Sequence, residues 1–156
     1  KEIYGHSYHE IKLEQWVPQS KDRTFSFFKE ARNLEKITPE FLKFKVLNQS
    51  TPEIQDGTKL NYLLSLHGIP VSWQSKITDW KPDEKFSDIK LKGPYSHWYH
   101  THEFEGKDGG TLIKDHVLYK VPFGIAGDLV AGKWIRKDLE SVFNYRYKAI
   151  ETLLAH

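Results

Sequence analysis

The densest chemistry in the chain lies in His97–Phe104, which reads HWYHTHEF. Side chains alternate across a strand, so Trp98, His100, His102 and Phe104 share one face, and His97, Tyr99, Thr101 and Glu103 take the other. An aromatic ring at each end of the first set predicts that this face is buried. Two imidazoles on a buried face need polar partners. Downstream, Asp108-Gly109 predicts a tight hairpin turn. With Lys107 opposite Gly110, His102 faces Asp115, His100 faces Val117 and Trp98 faces Tyr119. A turn at Gly93-Pro94 brings Asp88 beside His100. Arg146 lies on the apolar stripe of a C-terminal helical segment that should cover the same face. Asp88, His100, His102, Asp115, Tyr119 and Arg146 are therefore expected to cluster.

Carboxylates beside imidazoles favour the charged imidazolium, and such a cluster has several uses. It can be a satisfied network that fixes how the helix docks. It can be the polar end of a ligand pocket. It can also be an acid/base pair, with His102 oriented by Asp115, Tyr119 or Arg146 stabilising an enolate oxygen, and His100 a further candidate. That last use requires a free nitrogen on His102 and access from a cavity. Two His at i and i+2 on a strand, about 6.5–7 Å apart at Cα, also form three metal ligands when joined by a carboxylate. Arg146 competes for those carboxylates, and no metal is expected.

Two motif matches carry no function. Gly127–Lys133 (GDLVAGK) has the glycine and lysine spacing of a phosphate-binding loop, but Trp134 follows where Ser or Thr would hold magnesium. Asn48-Gln49-Ser50 is a glycosylation triplet, which means nothing without secretion.

The surrounding elements follow from periodicity. Tyr8–Val17 alternates, with Ile11, Leu13 and Gln15 on one side. Ser20 is placed to cap a helix with Asp22 in its first turn, and Phe25, Phe28, Leu34 and Ile37 recur at helical spacing, with Asn33 expected to break this into two short helices. Six strands follow, over 44–48, 58–67, 71–80, 85–92, 97–105 and 111–121. On two of them Leu60, Tyr62, Leu64 and Leu66, then Trp73, Ser75 and Ile77, share faces. From Trp134 to Ala155 the period is helical, with Leu139, Val142, Phe143, Arg146, Ile150 and Leu153 in one stripe. This order predicts an α+β domain spanning 1–156, an antiparallel sheet with a long helix across its concave face.

Composition narrows the classes. The 156 residues contain 23 Lys plus Arg, 21 Asp plus Glu and no Cys. Near-balanced charge argues against a general nucleic-acid binder, and the lack of Cys removes thiol, disulfide and iron–sulfur chemistry. No apolar run reaches the roughly 18 residues of a membrane span, and the first twenty residues lack the apolar stretch of a signal peptide. A cytoplasmic location is expected.

These motifs resemble the START/polyketide-cyclase-like superfamily, also called SRPBCC or helix-grip proteins. The resemblance rests on RNLEKITPEFL (32–42), GIPVSWQSKITDW (68–80), FSD (86–88), GPYSHWYHTHEF (93–104), DHVLYKVPFG (115–124) and VFNYRYKAI (142–150). The chain looks most like a bacterial ligand-binding, cyclase/dehydrase-like subgroup with Trp, His, His and Phe at Trp98, His100, His102 and Phe104, Asp and Tyr at Asp115 and Tyr119, and Tyr-Arg at Tyr145 and Arg146. Lys90 departs from that pattern, where Gln is commoner, and is expected to project to the inner face. The resemblance implies a seven-stranded antiparallel sheet gripping a C-terminal helix, two short helices after the first strand, and a cavity for an apolar or amphipathic small molecule. It implies no shared catalytic set.

Three functional readings follow. In the first, a hydrophobic or amphipathic ligand, lipids included, binds between sheet and helix without a cofactor. Tyr62, Trp73, Trp98, Phe104 and Phe143 wall the site, Asp88, His100, His102, Asp115, Tyr119 and Arg146 hold the polar end, and 68–70 with 122–127 form a gate. The second is a cyclase or dehydratase using the His102–Asp115 pair. The third is an accessory module of an NAD-dependent epimerase/dehydratase-like oxidoreductase, suggested by fused relatives, which an exposed apolar patch would support.

Overall fold

The computed structural model describes residues 2–3 and 6–156. Two short strands, β1 (Glu2–Ile3) and β2 (His6–Ser7), pair with each other. Then follow β3 (His9–Val17), α1 (Lys21–Phe28), α2 (Arg32–Lys36), a 3-10 turn (Glu40–Leu42), β4 (Lys45–Gln49), β5 (Lys59–Leu66), β6 (Ile69–Lys81), β7 (Lys85–Lys92), β8 (His97–Lys107), β9 (Gly110–Lys120) and α3 (Gly124–Leu153). Strands β3 to β9 make one seven-stranded antiparallel sheet in the order β3-β9-β8-β7-β6-β5-β4. The expected fold class is the observed one.

The register at the centre follows from turn chemistry. Asp108 and Gly109 have φ of 50° and 78°, the pair of positive angles a two-residue hairpin loop needs. That turn fixes Lys107 opposite Gly110, His102 opposite Asp115 and Trp98 opposite Tyr119. On the other side of β8, Asp88 stands opposite His100. His67 and Gly68 make the same kind of turn, with φ of 50° and 84°. The β5–β6 connection is therefore these two residues, and Ile69 and Pro70 already belong to β6.

Three local expectations need correction. The helical run splits into two short helices as expected, but the break falls at 29–31 and not at Asn33. Asn33 lies inside α2, and its side-chain amide donates to the Phe27 carbonyl at 2.8 Å, tying α2 to the end of α1. Ser20 caps α1 as expected, accepting from the Arg23 amide. Second, α3 begins at Gly124, ten residues before Trp134, so residues 124–127 are the first turn of a helix and not a loop, while Pro122 lines the cavity. Gly127 is what lets the helix start so tightly: a β carbon there would sit 1.8 Å from the Pro122 carbonyl oxygen. Third, Leu153 is exposed, and Leu154, the residue that ends the helix, is buried instead.

At 30 residues α3 is about 45 Å long, and its halves are held differently. Toward its C-terminal end, Ile150 and Leu154 pack into a core with Phe25, Phe28, Ile37, Leu60, Ile77, Phe86 and Phe104. Gln15 on β3 donates to the Tyr147 carbonyl and Gln19 to that of Leu154, pinning this end to the sheet. In the middle, Leu139 and Phe143 join a second core with Ile11, Val117, Tyr119 and Val121. The first turns carry Phe123, Ile125, Leu129 and Val130 exposed to solvent.

Candidate functional site

Strands β7, β8 and β9 bring Asp88, His100, His102 and Asp115 onto one face, and α3 lays Arg146 across them. The hydrogen bonds run diagonally to the register. His100 stands opposite Asp88, but its Nε2 bonds Asp115 Oδ1 at 2.8 Å. His102 stands opposite Asp115, but its Nε2 bonds Asp88 Oδ2 at 2.8 Å. His102 Nδ1 lies 3.2 Å from Asp115 Oδ1. Arg146 Nη2 donates to Asp115 Oδ1 at 3.2 Å and approaches His102 Nδ1 at 3.4 Å. The two imidazoles stack, with centroids 3.9 Å apart, and Phe86 stacks on the far side of His102 at 4.4 Å. His100 and His102 are only 4% and 2% exposed.

Burial alone favours the neutral forms of the two carboxyl groups and the two imidazoles, and mutual contacts outweigh it for all but His100. Burial raises the Asp115 pKa, but Arg146 and the bonds from both imidazoles hold it well below the carboxylate range. Asp88 is also lowered: burial opposes this, and the His102 bond with both imidazole charges outweighs it. Burial works against the proton on His102 as well, but bonds to Asp115 and Asp88 raise its pKa above the ordinary value. His100 goes the other way, lowered by burial and then by the neighbouring His102. With His102 as the imidazolium and His100 neutral, Asp88 and Asp115 face two cations, His102 and Arg146.

Beside this cluster lies a cavity of about 770 Å³ between β5–β8, the α2 and 3-10 region, and α3. Its walls are mainly apolar, with Leu34, Phe44, Leu64, Leu66, Val71 and Val142 among them. Asp88, His100, His102 and Arg146 form a polar patch in the wall. Tyr62, Trp73 and Trp98 also line it. Trp73 meets Trp98 edge to face at 5.5 Å, and its indole donates to Ser75 Oγ at 2.9 Å. Arg146 makes no hydrogen bond through Nε or Nη1 among the described residues; its polar contacts there all run through Nη2. Across the mouth, His67 Nε2 bonds Asp138 Oδ2 at 2.7 Å and its ring stacks on Trp134 at 4.3 Å.

The other residues expected at the site sit elsewhere. Asp115 lies behind the imidazoles, outside the cavity lining. Phe104 is packed among Phe25, Phe28 and Phe86. Phe143 belongs to the second core, edge-on to His100. Tyr119 is apart from the cluster, stacked on His9 at 5.0 Å. Lys90 pairs with inward-facing Ser75 in register but does not line the cavity. The sequence reading missed Leu34, Thr38, Phe41 and Phe44, which line the cavity from the α2 side, and the His67–Asp138 contact. Helical periodicity marks Leu34 as inward but cannot say that it meets a void.

Two kinds of chemistry can be weighed on this geometry. Asp88, His100 and His102 bring ligand atoms within 4.8 Å of one another. Their imidazoles are stacked with only 27° between planes. The in-plane lone pairs therefore run side by side, and chelating one ion requires a ring to turn. For acid/base work, both His102 nitrogens are occupied by Asp88, Asp115 and Arg146. The less engaged nitrogen is His100 Nδ1, 3.9 Å from Asp88.

No family model and no curated protein matches this sequence. Solved structures do match it. A START superfamily protein from Mycobacterium smegmatis superposes with a TM-score of 0.66 at 14% identity, over 93% of this chain and 99% of that one. Protein CV1439 from Chromobacterium violaceum gives 0.74 at 14%, over 95% and 99%. The di-domain ARO/CYC StfQ from the steffimycin biosynthetic pathway gives 0.74 at 10%, over 96% of this chain and 51% of that one. Identities this low speak for architecture alone, and on that ground the chain has the helix-grip fold of the START-like superfamily.

Proposed function

We propose that this chain binds a small, uncharged amphipathic molecule in the cavity between sheet and α3. The observation that carries this reading is the lining: a large, mostly apolar void with one polar patch of Asp88, His100, His102 and Arg146. Apolar walls reward burial of a hydrocarbon body, at about 25 cal/mol per Å². Asp88 offers an acceptor at the patch, and Arg146 offers donors its protein partners leave open. A hydroxyl or a hydroxy-carbonyl satisfies both. A carboxylate would sit against Asp88 and unbalance the cluster. The neighbours whose names speak of START and ARO/CYC proteins agree with small-molecule binding.

A cyclase or dehydratase reading has one observation in its favour, the less engaged Nδ1 of His100. It moves the base from His102 to His100. Turnover of a bound neutral carbonyl compound, abolished by His100→Gln, tests it.

Native mass spectrometry of gently purified protein, with the released molecule identified, tests binding. The expected result is one neutral organic molecule per chain, displaced in Val71→Trp, which fills the cavity. A bare chain that also takes up none of a panel of neutral long-chain alcohols and hydroxy-ketones refutes the proposal.

A further inference from the structure

The first three turns of α3 present a largely exposed apolar surface, with Trp134 at its edge stacked on His67. Phe123, Leu129 and Val130 are 87%, 83% and 88% exposed, and Ile125 and Trp134 more than half. At about 100° per residue, Ile125, Leu129, Ala126, Val130 and Trp134 span one half of the helix circumference. Lys133 and Lys137 fall inside that arc, both exposed, as do Arg136 and, one turn further on, Glu140, which pair with each other and leave the arc net positive. The two acids on this stretch, Asp128 and Asp138, lie on the opposite half, bonded to His9 and His67. The inward side carries Gly124, Gly127, Ala131 and Gly132, so the helix sits close to the body and turns its large side chains outward. Phe123 holds a left-handed backbone, φ 66°, with its ring in solvent, a conformation unfavourable for an aromatic residue. The patch runs into the cavity mouth, where Trp134, Ile69 and Phe41 are at once exposed and lining.

We infer that this face docks on the surface of a lipid bilayer with anionic headgroups, with the cavity mouth turned toward the membrane. The lysines decide the occupant. Lys is depleted in protein–protein interfaces, whereas on an interfacial helix its stem buries beside apolar neighbours while the ammonium reaches lipid phosphates. An indole at the edge of the apolar arc suits the same boundary. The docking is peripheral, since no helix among the described residues is long and apolar enough to cross a membrane. It also suits an apolar ligand, which would pass between bilayer and cavity without crossing water. The docking itself does not depend on what the cavity holds.

The test is co-sedimentation of the full chain with sucrose-loaded vesicles of phosphatidylcholine, with and without 30 mol% (roughly one lipid in three) phosphatidylglycerol, as suits an electrostatic component. The expected result is binding to the anionic vesicles, weaker on pure phosphatidylcholine and falling with salt. Leu129→Glu/Val130→Glu should lower the bound fraction about tenfold or more, and Lys133→Glu/Lys137→Glu should remove the preference for anionic lipid, both with unchanged circular dichroism. These are surface positions, so the fold tolerates the changes. Absence of sedimentation, or equal sedimentation of wild type and the Glu variants, overturns the inference. So does a dimer in sedimentation velocity that Leu129→Glu/Val130→Glu dissociates without any vesicle binding, since the face would then belong to a second copy.

Discussion

Replacing Arg146 by Met removes the guanidinium from Asp115 while keeping an unbranched stem against Phe28 and Phe143, whose rings lie 5.4 and 6.0 Å from the guanidinium carbon. At 3.2 Å and an effective dielectric constant of about 20, the lost attraction is about 5 kcal/mol. Part is recovered because Arg146 no longer gives up hydration, and Asp115 keeps both imidazole bonds. Breaking a buried pair from one side costs about 3–5 kcal/mol, so the low end, about 3 kcal/mol, is expected. For a chain of this size that lowers Tm by about 6–12 °C. Asp115→Asn in the same background leaves Asp88 facing His102, again balanced. The double variant should therefore be more stable than the sum of the single changes predicts, by about 2 kcal/mol. Urea unfolding of wild type, both singles and the double, compared at unchanged m, measures this cycle. A cost below about 1 kcal/mol for Arg146→Met, or additive singles, would refute the charge-balance argument.

The pH dependence of His102 has a defined sign. Its pKa is raised in the folded state, so its contribution is complete below the unfolded value of about 6.5 and declines as pH rises through the folded value. The stability gap between wild type and His102→Gln should be flat from about pH 5.5 to 6.5 and shrink above it; chemical denaturation across that range contradicts the assignment if the gap widens instead. At the mouth, His67→Ala should admit a fluorescent apolar probe at least several-fold faster, because the His67–Asp138 bridge and the Trp134 stack close that side. Both bridge residues are exposed, so the change in stability should stay within about 1 kcal/mol. Stopped-flow entry rates equal to wild type would show that the ligand enters elsewhere.

The centre of the sheet was legible because two independent signals agreed there. Alternation in HWYHTHEF set the face, and Asp108-Gly109 set the register, so His102 opposite Asp115 followed from local chemistry alone. What local chemistry could not give was which carboxylate each imidazole bonds. Direct opposition suggests one pairing, and side-chain reach on a twisted sheet selects the diagonal one. The start of α3 was illegible for a different reason. GIAGDLVAGK holds three glycines, each costing a helix about 1 kcal/mol against Ala, and its apolar residues face outward, so the burial signal is absent. Gly127 is favoured there by a backbone contact with Pro122 that only the folded chain contains. Tyr119 was placed on the right face and still missed the cluster, since sharing a face of β9 with Asp115 leaves the two side chains two spacings apart.

The diagonal bonds also bear on how the sheet avoids mispairing. A slip of one residue would turn every inward side chain outward, and hydrophobicity forbids it. A slip of two keeps the faces, and the aromatic and imidazole alternation of β8 would tolerate it. After such a slip against both neighbours, Trp98 or Phe104 would occupy one imidazole position, and one of the two aspartates would be buried without its partner. Asp88 and Asp115 thus act as a proofreading device for strand alignment: the apolar residues choose the face, and the crossed carboxylate–imidazole bonds choose between alignments that differ by one pleat repeat. Asp88→Leu/Asp115→Leu should then relax alignment as well as stability, visible as slower or multiphasic refolding in a sheet that still closes.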